Sequence, residues 1–134
     1  MTGTALPSPE ISAEEQAEAG FRAFVRIAAA WGLTVDEQLV LLGAPARSTY
    51  YKWKRDGAST MSRDTLERVS YVLGIWKALA ILFPDPARAD AWLTRPNTAP
   101  TFGGRPALER MLSGQVSDLF VVRQYLGAQL GGWP

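Results

Sequence analysis

The sequence predicts an all-α protein, with an N-terminal helix-turn-helix unit followed by a small helical C-terminal domain. Three observations carry this reading. Every long apolar pattern repeats with a period nearer 3.6 than 2, and no segment alternates as a half-buried strand would. Two capping boxes, Ser12 with Glu15 and Thr34 with Glu37, mark helix starts. Gly32, Gly43, Gly57, Gly114 and the pair Pro84 and Pro86 fall between the periodic stretches, where helices stop.

Residues 1–11 hold two prolines and no apolar period, and read as a flexible tail. From Ser12, a first helix sets Phe21, Phe24, Ala28 and Trp31 on one face, and Gly32 ends it. A short second helix opens at Thr34, turns Val35, Leu39 and Leu42 inward, and ends at Gly43. Pro45 suits the first turn of a third helix over 46–55, where its missing N–H costs nothing, and Gly57 closes that helix. Ser62 caps a long helix over 62–83 with an inward stripe of Leu66, Val69, Val72, Leu73, Trp76, Leu79, Ala80 and Phe83. Tyr71, Ile75 and Leu82 add apolar surface off that stripe, so this helix is central in the fold or part of a dimer interface. Asp85 and Pro86 open a short helix through Trp92 and Leu93. A Pro- and Gly-rich loop over 94–105 follows, then a short helix from Pro106 to about Leu112. A last helix over 116–130 turns Val116, Leu119, Phe120, Val122, Leu126 and Leu130 to its apolar side. The organisation expected is therefore a tail (1–11), a helix-turn-helix unit (12–61), a long connecting and dimerising helix (62–83) and a C-terminal domain (84–134).

Composition narrows the function. With 47% hydrophobic residues, the 134-residue chain has the means for a packed core. It contains no cysteine and no histidine, which removes disulfides, makes a structural zinc site very unfavourable and takes away the commonest general base. No nucleophile-plus-base arrangement is visible, so no enzyme and no cofactor is expected. The longest apolar run, Leu79 to Phe83, is far too short to span a bilayer. No basic stretch followed by an apolar one suggests secretion, so a cytoplasmic protein without membrane contact is expected. Net charge is +1, yet residues 1–20 carry Glu10, Glu14, Glu15 and Glu18 with no base, and the rest holds 14 basic and 9 acidic residues, or +5.

Part of that excess lies on the third helix. Between Ala46 and Gly57 there are four basic residues and one acid. Tyr50 and Trp53 are three apart and can anchor the helix, while Arg47, Ser48, Tyr51, Lys52 and Arg55 can face outward. Arginine and lysine neutralise phosphates, arginine forks to guanine, and hydroxyls bond backbone or base. Arg47, Ser48, Thr49, Tyr51, Lys52, Lys54 and Arg55 are thus the candidate DNA-binding residues. A solvated basic face would have the same composition. Two-fold operators need two recognition helices, so a homodimer is expected.

The ordered series Ala91-Trp92-Leu93, Pro96-Asn97, Phe102-Gly103-Gly104-Arg105-Pro106-Ala107-Leu108 and Met111-Leu112-Ser113-Gly114 resembles the toxin-binding domain of the Xre/MbcA/ParS antitoxins. Ahead of it, Leu41-Leu42-Gly43 and Ser48-Thr49-Tyr50-Tyr51-Lys52-Trp53 resemble their Xre-like helix-turn-helix. The resemblance covers about residues 21–133. It implies a partner toxin of the RES type that acts on NAD, by degrading it or by transferring its ADP-ribose. It also implies that the C-terminal domain covers the toxin's cleft, that toxin and antitoxin form a higher hetero-oligomer, and that the complex represses its own operon at operator DNA. A repressor without a toxin partner is the alternative, and an interaction protein that never touches DNA is another. One departure stands out: Arg105 occupies the place before Pro106 where such antitoxins often carry a capping Ser. Candidate toxin-binding residues are Asn97, Phe102, Arg105, Arg110, Arg123 and Trp133, since aromatics and arginines anchor interfaces. Trp92 reads more readily as core, and Asn97 more readily as loop-turn chemistry.

Overall fold

The computed structural model describes residues 12–131. The expected tail over 1–11 and the candidate Trp133 lie outside the described residues. The described residues form seven helices and no strand: α1 (Ala13–Ala30), α2 (Val35–Leu41), α3 (Arg47–Asp56), α4 (Arg63–Leu82), α5 (Pro86–Trp92), α6 (Ala107–Met111) and α7 (Val116–Gln129). None of these helices is long and apolar enough to cross a membrane.

Both capping boxes form. Ser12 Oγ accepts from Glu15 N at 3.1 Å and Thr34 Oγ1 from Glu37 N at 3.1 Å, while each glutamate accepts from the capping residue's own N–H. Ser62 caps α4, and Asp85 caps α5 with Pro86 in its first turn. Alone, seven-residue α2 would not persist in water. Burial of Leu41 and Leu42 holds it in place, each contributing about 1.5–3 kcal/mol. Between α2 and α3 the buried Tyr50 hydroxyl donates to Gln38 Oε1 at 2.6 Å. Phe21 of α1 meets Tyr50 and Trp53 of α3 edge-on, at 5.9 and 5.6 Å between ring centroids.

The α2–α3 turn depends on two residues with positive φ, Gly43 at 93° and Ala44 at 61°. The second is closed by its N–H donating to Leu39 O at 2.7 Å. Pro45 therefore stands outside α3 instead of in its first turn, and Ala46 takes the N-cap position without a side-chain bond. Pro106 likewise occupies the N-cap of α6 and not its first turn.

α4 is the central helix, packed against α1 on one side and α5 and α7 on the other. Its buried face differs from the expected stripe. Thr65, Arg68, Val69, Val72, Ile75, Ala78 and Leu79 are inside, whereas Leu66 is 39% exposed and Ala80 is exposed. Two polar residues turn inward because each has a partner there. Thr65 Oγ1 donates to Leu42 O at 2.9 Å, and Arg68 donates to Asp64 Oδ2 at 2.8 Å and to Gly114 O at 3.0 Å. On α7, Leu119, Val122, Leu126 and Gly127 are buried, while Phe120 turns outward and meets Tyr71 edge-on at 5.8 Å. One buried cluster runs from Phe21 in α1 through α4 to Leu126 in α7.

A Cβ at Gly43 would sit 2.7 Å from Asp64 Oδ2 and 3.0 Å from Arg68 Nε, whereas one at Gly32, also at positive φ, would meet nothing within 4 Å. Gly32→Ala is therefore expected to cost only backbone strain, about 1–2 kcal/mol. Gly43→Ala must in addition displace the Asp64–Arg68 pair, and its urea-unfolding free energy should fall by about 1 kcal/mol more. Equal losses in the two variants would show that the pair moves aside freely.

Candidate nucleic-acid and partner-binding surfaces

The outward face of α3 is built by its inward one. Tyr50 is buried and Trp53 half-buried, which turns Ser48, Tyr51, Lys52 and Arg55 to the opposite, exposed side. Arg47 lies at the edge of that face and is paired with Asp36 at the start of α2. Arg55 reaches both oxygens of Asp56, each at 3.1 Å. Both pairs are exposed, and such pairs contribute about 0–1 kcal/mol, so either arginine can exchange its carboxylate for a phosphate at little cost. Lys52 has no ion pair among the described residues. Lys54 and half-buried Thr49 flank the face instead of lying on it. The Lys54 ammonium stands 5.7 Å from the Tyr50 ring centroid, toward α1. There it lines a groove with Arg22 and Arg26, two residues that the sequence reading did not single out. Their spacing of four on the polar side of α1 was the available signal.

The C-terminal candidates divide differently. Phe102 is not a surface aromatic: it is 6% exposed and packs edge-on against Trp92 at 5.7 Å and Tyr125 at 5.0 Å. Phe102, expected among the toxin-binding residues, thus packs inside its own domain. Asn97 is half-buried and builds the loop, its Oδ1 accepting from Ala99 N at 3.0 Å and its carbonyl from Gly104 N at 2.8 Å. Arg110 ties the domain together, donating to Thr101 O at 2.6 Å and to Asp118 Oδ1 at 2.9 Å. Arg123 lies across α4, so close that a Cβ on Gly74 would fall 2.3 Å from its Nε. Arg105 is the arginine of this set that stands in solvent, paired with Glu109 at 2.5 Å along an exposed edge. The missing Ser cap is not replaced, since no side chain caps α6. Beside Arg105 two concavities of about 220 and 280 Å³ share Pro106 and Glu109 as a common ridge. Leu108 and Leu112 line the second.

Residues 10–74 match the model of the antitoxin Xre-like helix-turn-helix domain, and residues 78–132 match that of the antitoxin Xre/MbcA/ParS C-terminal toxin-binding domain. The chain belongs to the Xre/MbcA/ParS antitoxin family. It is also 49% identical over 132 residues to an uncharacterized protein, y4oB, of Sinorhizobium fredii, covering 98% of this chain and 100% of that one. This antitoxin thus joins a DNA-binding motif to a toxin-binding domain in that order, and the boundary between the two matches falls inside α4.

The Asp118 carboxylate in the first turn of α7 also accepts from Ser113 Oγ at 2.6 Å. That bond, with Arg110's, outweighs partial burial and holds the Asp118 carboxyl below its ordinary value. A depressed folded-state value contributes stability that is complete above the unfolded value, about 4, and lost as the pH falls through the folded one. The antitoxin's melting temperature should therefore decline below about pH 4 more steeply than that of Asp118→Asn, which starts lower at neutral pH. Parallel curves for the two proteins would remove Asp118 as a source of acid sensitivity.

Proposed function

We propose that this protein is the antitoxin of a type II toxin–antitoxin pair: it holds operator DNA with α3, neutralises a RES-type, NAD-acting toxin through its C-terminal domain, and represses its own operon. The observation that carries the reading is the pair of family matches in order over 10–74 and 78–132, with the first containing an exposed, basic α3 face. On that face Arg55 and Lys52 are placed to reach phosphates or base edges, Ser48 and Tyr51 to add hydrogen bonds, and Arg47 to join from the edge. Thr49 and Lys54 serve at the flanks.

The toxin meets the ridge formed by Arg105, Pro106 and Glu109 and the concavities beside it, where shape and charge are both accessible. Trp133 adds an aromatic anchor from the C-terminal residues. Asn97, Phe102, Arg110 and Arg123 support this surface from within, by the bonds and packing that shape it. The NAD-acting nature of the toxin rests on the family resemblance. The antitoxin acts by occupancy and performs no chemistry of its own. It works in the cytoplasm as a homodimer, which offers two α3 helices to a two-fold operator and forms a larger assembly with the toxin.

Two measurements test the reading. Lys52→Ala with Arg55→Ala should retain the helical circular dichroism spectrum and the captured toxin, yet lose operator binding, at about 1–3 kcal/mol for each base contact removed. Unchanged operator affinity would separate α3 from DNA. Co-expression with the product of the adjacent gene should restore growth and cellular NAD and yield a co-purifying complex. A neighbour that neither binds nor depletes NAD would leave a repressor without a toxin.

A further inference from the structure

Between α1 and the C-terminal end of α3 lies a groove with a volume of about 460 Å³. Phe21, Val25 and Trp53 form its floor, and Arg22, Arg26 and Lys54 stand along it. Arg22 and Arg26 are exposed, and neither makes an ion pair among the described residues. Four residues apart on one helix, they face the same way and repel each other. Nothing among the described residues compensates them fully. Of the two acids that also line the groove, Asp56 already holds both nitrogens offered by Arg55, which leaves Glu18 against three cations. An uncompensated like-charge pair beside a third cation fits an anionic strand better than it fits solvent. The rise between Arg22 and Arg26, about 6 Å along the helix, suits two successive phosphates. The groove also runs directly into α3, since Lys54 lines it and the adjacent Arg55 faces outward.

From this placement we infer that Arg22, Arg26 and Lys54 form a phosphate clamp, which grips the DNA backbone beside the stretch that α3 reads. The clamp rests on the reading of α3 as the DNA-contacting helix. Its chemistry is that of phosphodiesters without regard to base, so it raises affinity for every duplex and sets the depth at which α3 enters the groove of the DNA.

The test uses the full chain, an operator duplex and a scrambled duplex of equal length, titrated over a range of salt. Arg22→Ala with Arg26→Ala keeps strong helix formers on α1 and removes the repulsion, so the helix is retained. This variant should bind both duplexes more weakly by the same factor, about tenfold at moderate salt. The slope of log K against log salt should fall by about 1.8, two phosphate contacts' worth. Arg22→Lys with Arg26→Lys should keep the native slope. An unchanged slope and affinity in the alanine variant, with the native chain binding normally, overturns the clamp. So does a loss confined to the operator with the slope preserved, which would assign the arginines to base readout. Unaltered DNA binding with weakened toxin capture would give the groove to the protein partner. Failure of the native chain to bind either duplex would instead remove the DNA reading, and the clamp with it.

Discussion

The buried guanidinium of Arg68 constrains this fold more than any other polar group. Taking such a charge out of water costs several kcal/mol unless its hydrogen bonds are replaced. Here they come from two directions: the Asp64 carboxylate one turn earlier in α4, and the carbonyl of Gly114 in the turn before α7. Gly43, in the turn between α2 and α3, leaves this pair its room, since a Cβ there would stand 2.7 Å from Asp64 Oδ2. Thr65, one turn ahead on the same face, holds the carbonyl of Leu42. The first turns of α4 thus fix both the helix-turn-helix corner and the loop that starts the last helix. The orientation of α3 and the footing of the C-terminal domain are consequences of one polar cluster.

Beyond Arg68 the buried face of α4 is apolar and serves both halves of the molecule. Val69 takes α1 so closely that Gly20 there leaves only 3.4 Å for a Cβ. Farther along the fit is tighter: a Cβ at Gly74 would fall 2.3 Å from Nε of Arg123 on α7. Beyond it, Trp92 and Tyr125 stack and Phe102 meets both edge-on, a trio that closes the C-terminal domain. With the core continuous through α4, the surfaces assigned to DNA and toxin lie on one framework, and neither requires a separately folded unit to carry it.

Much of this was legible in the sequence because the signals were local. Ser12 with Glu15 and Thr34 with Glu37 announce helix starts through bonds spanning three residues, and Gly43 announces its turn through backbone freedom alone. The outward set on α3 followed from the spacing of Tyr50 and Trp53. The misreadings share a different origin. The buried face of α4 was shifted because hydrophobicity ranks Leu66 and Ala80 above Thr65 and Arg68. Only partners 23 and 46 residues away in the chain make the polar pair the inward one. Phe102 looks like an interface residue by type, yet contact with the distant Tyr125 keeps it inside, whereas Arg110 is only half-buried against Asp118. For Arg22 and Arg26 the spacing of four gives a shared polar face, while the groove that they line with Lys54 exists only once α3 packs beside α1.

Arginine shows most plainly how environment assigns a role that residue type leaves open. Arg68 and Arg110 hold backbone carbonyls and partly screened carboxylates, and withdrawing either would strand those partners, at about 1–3 kcal/mol for each unsatisfied group. Arg68 is thereby closed to a ligand, while Arg110, though engaged, still lines the concavity beside Arg105. Arg47 and Arg55 hold carboxylates too, but in water, where an ion pair is worth so little that a polyanion displaces it readily. Under the proposed DNA-binding role these acids would yield to phosphate and release the arginines without disturbing the core. The same residue type is therefore structural at α4 and α6 and exchangeable at α3. The difference follows from solvent exposure, which the packing of Tyr50 and Trp53 imposes on α3.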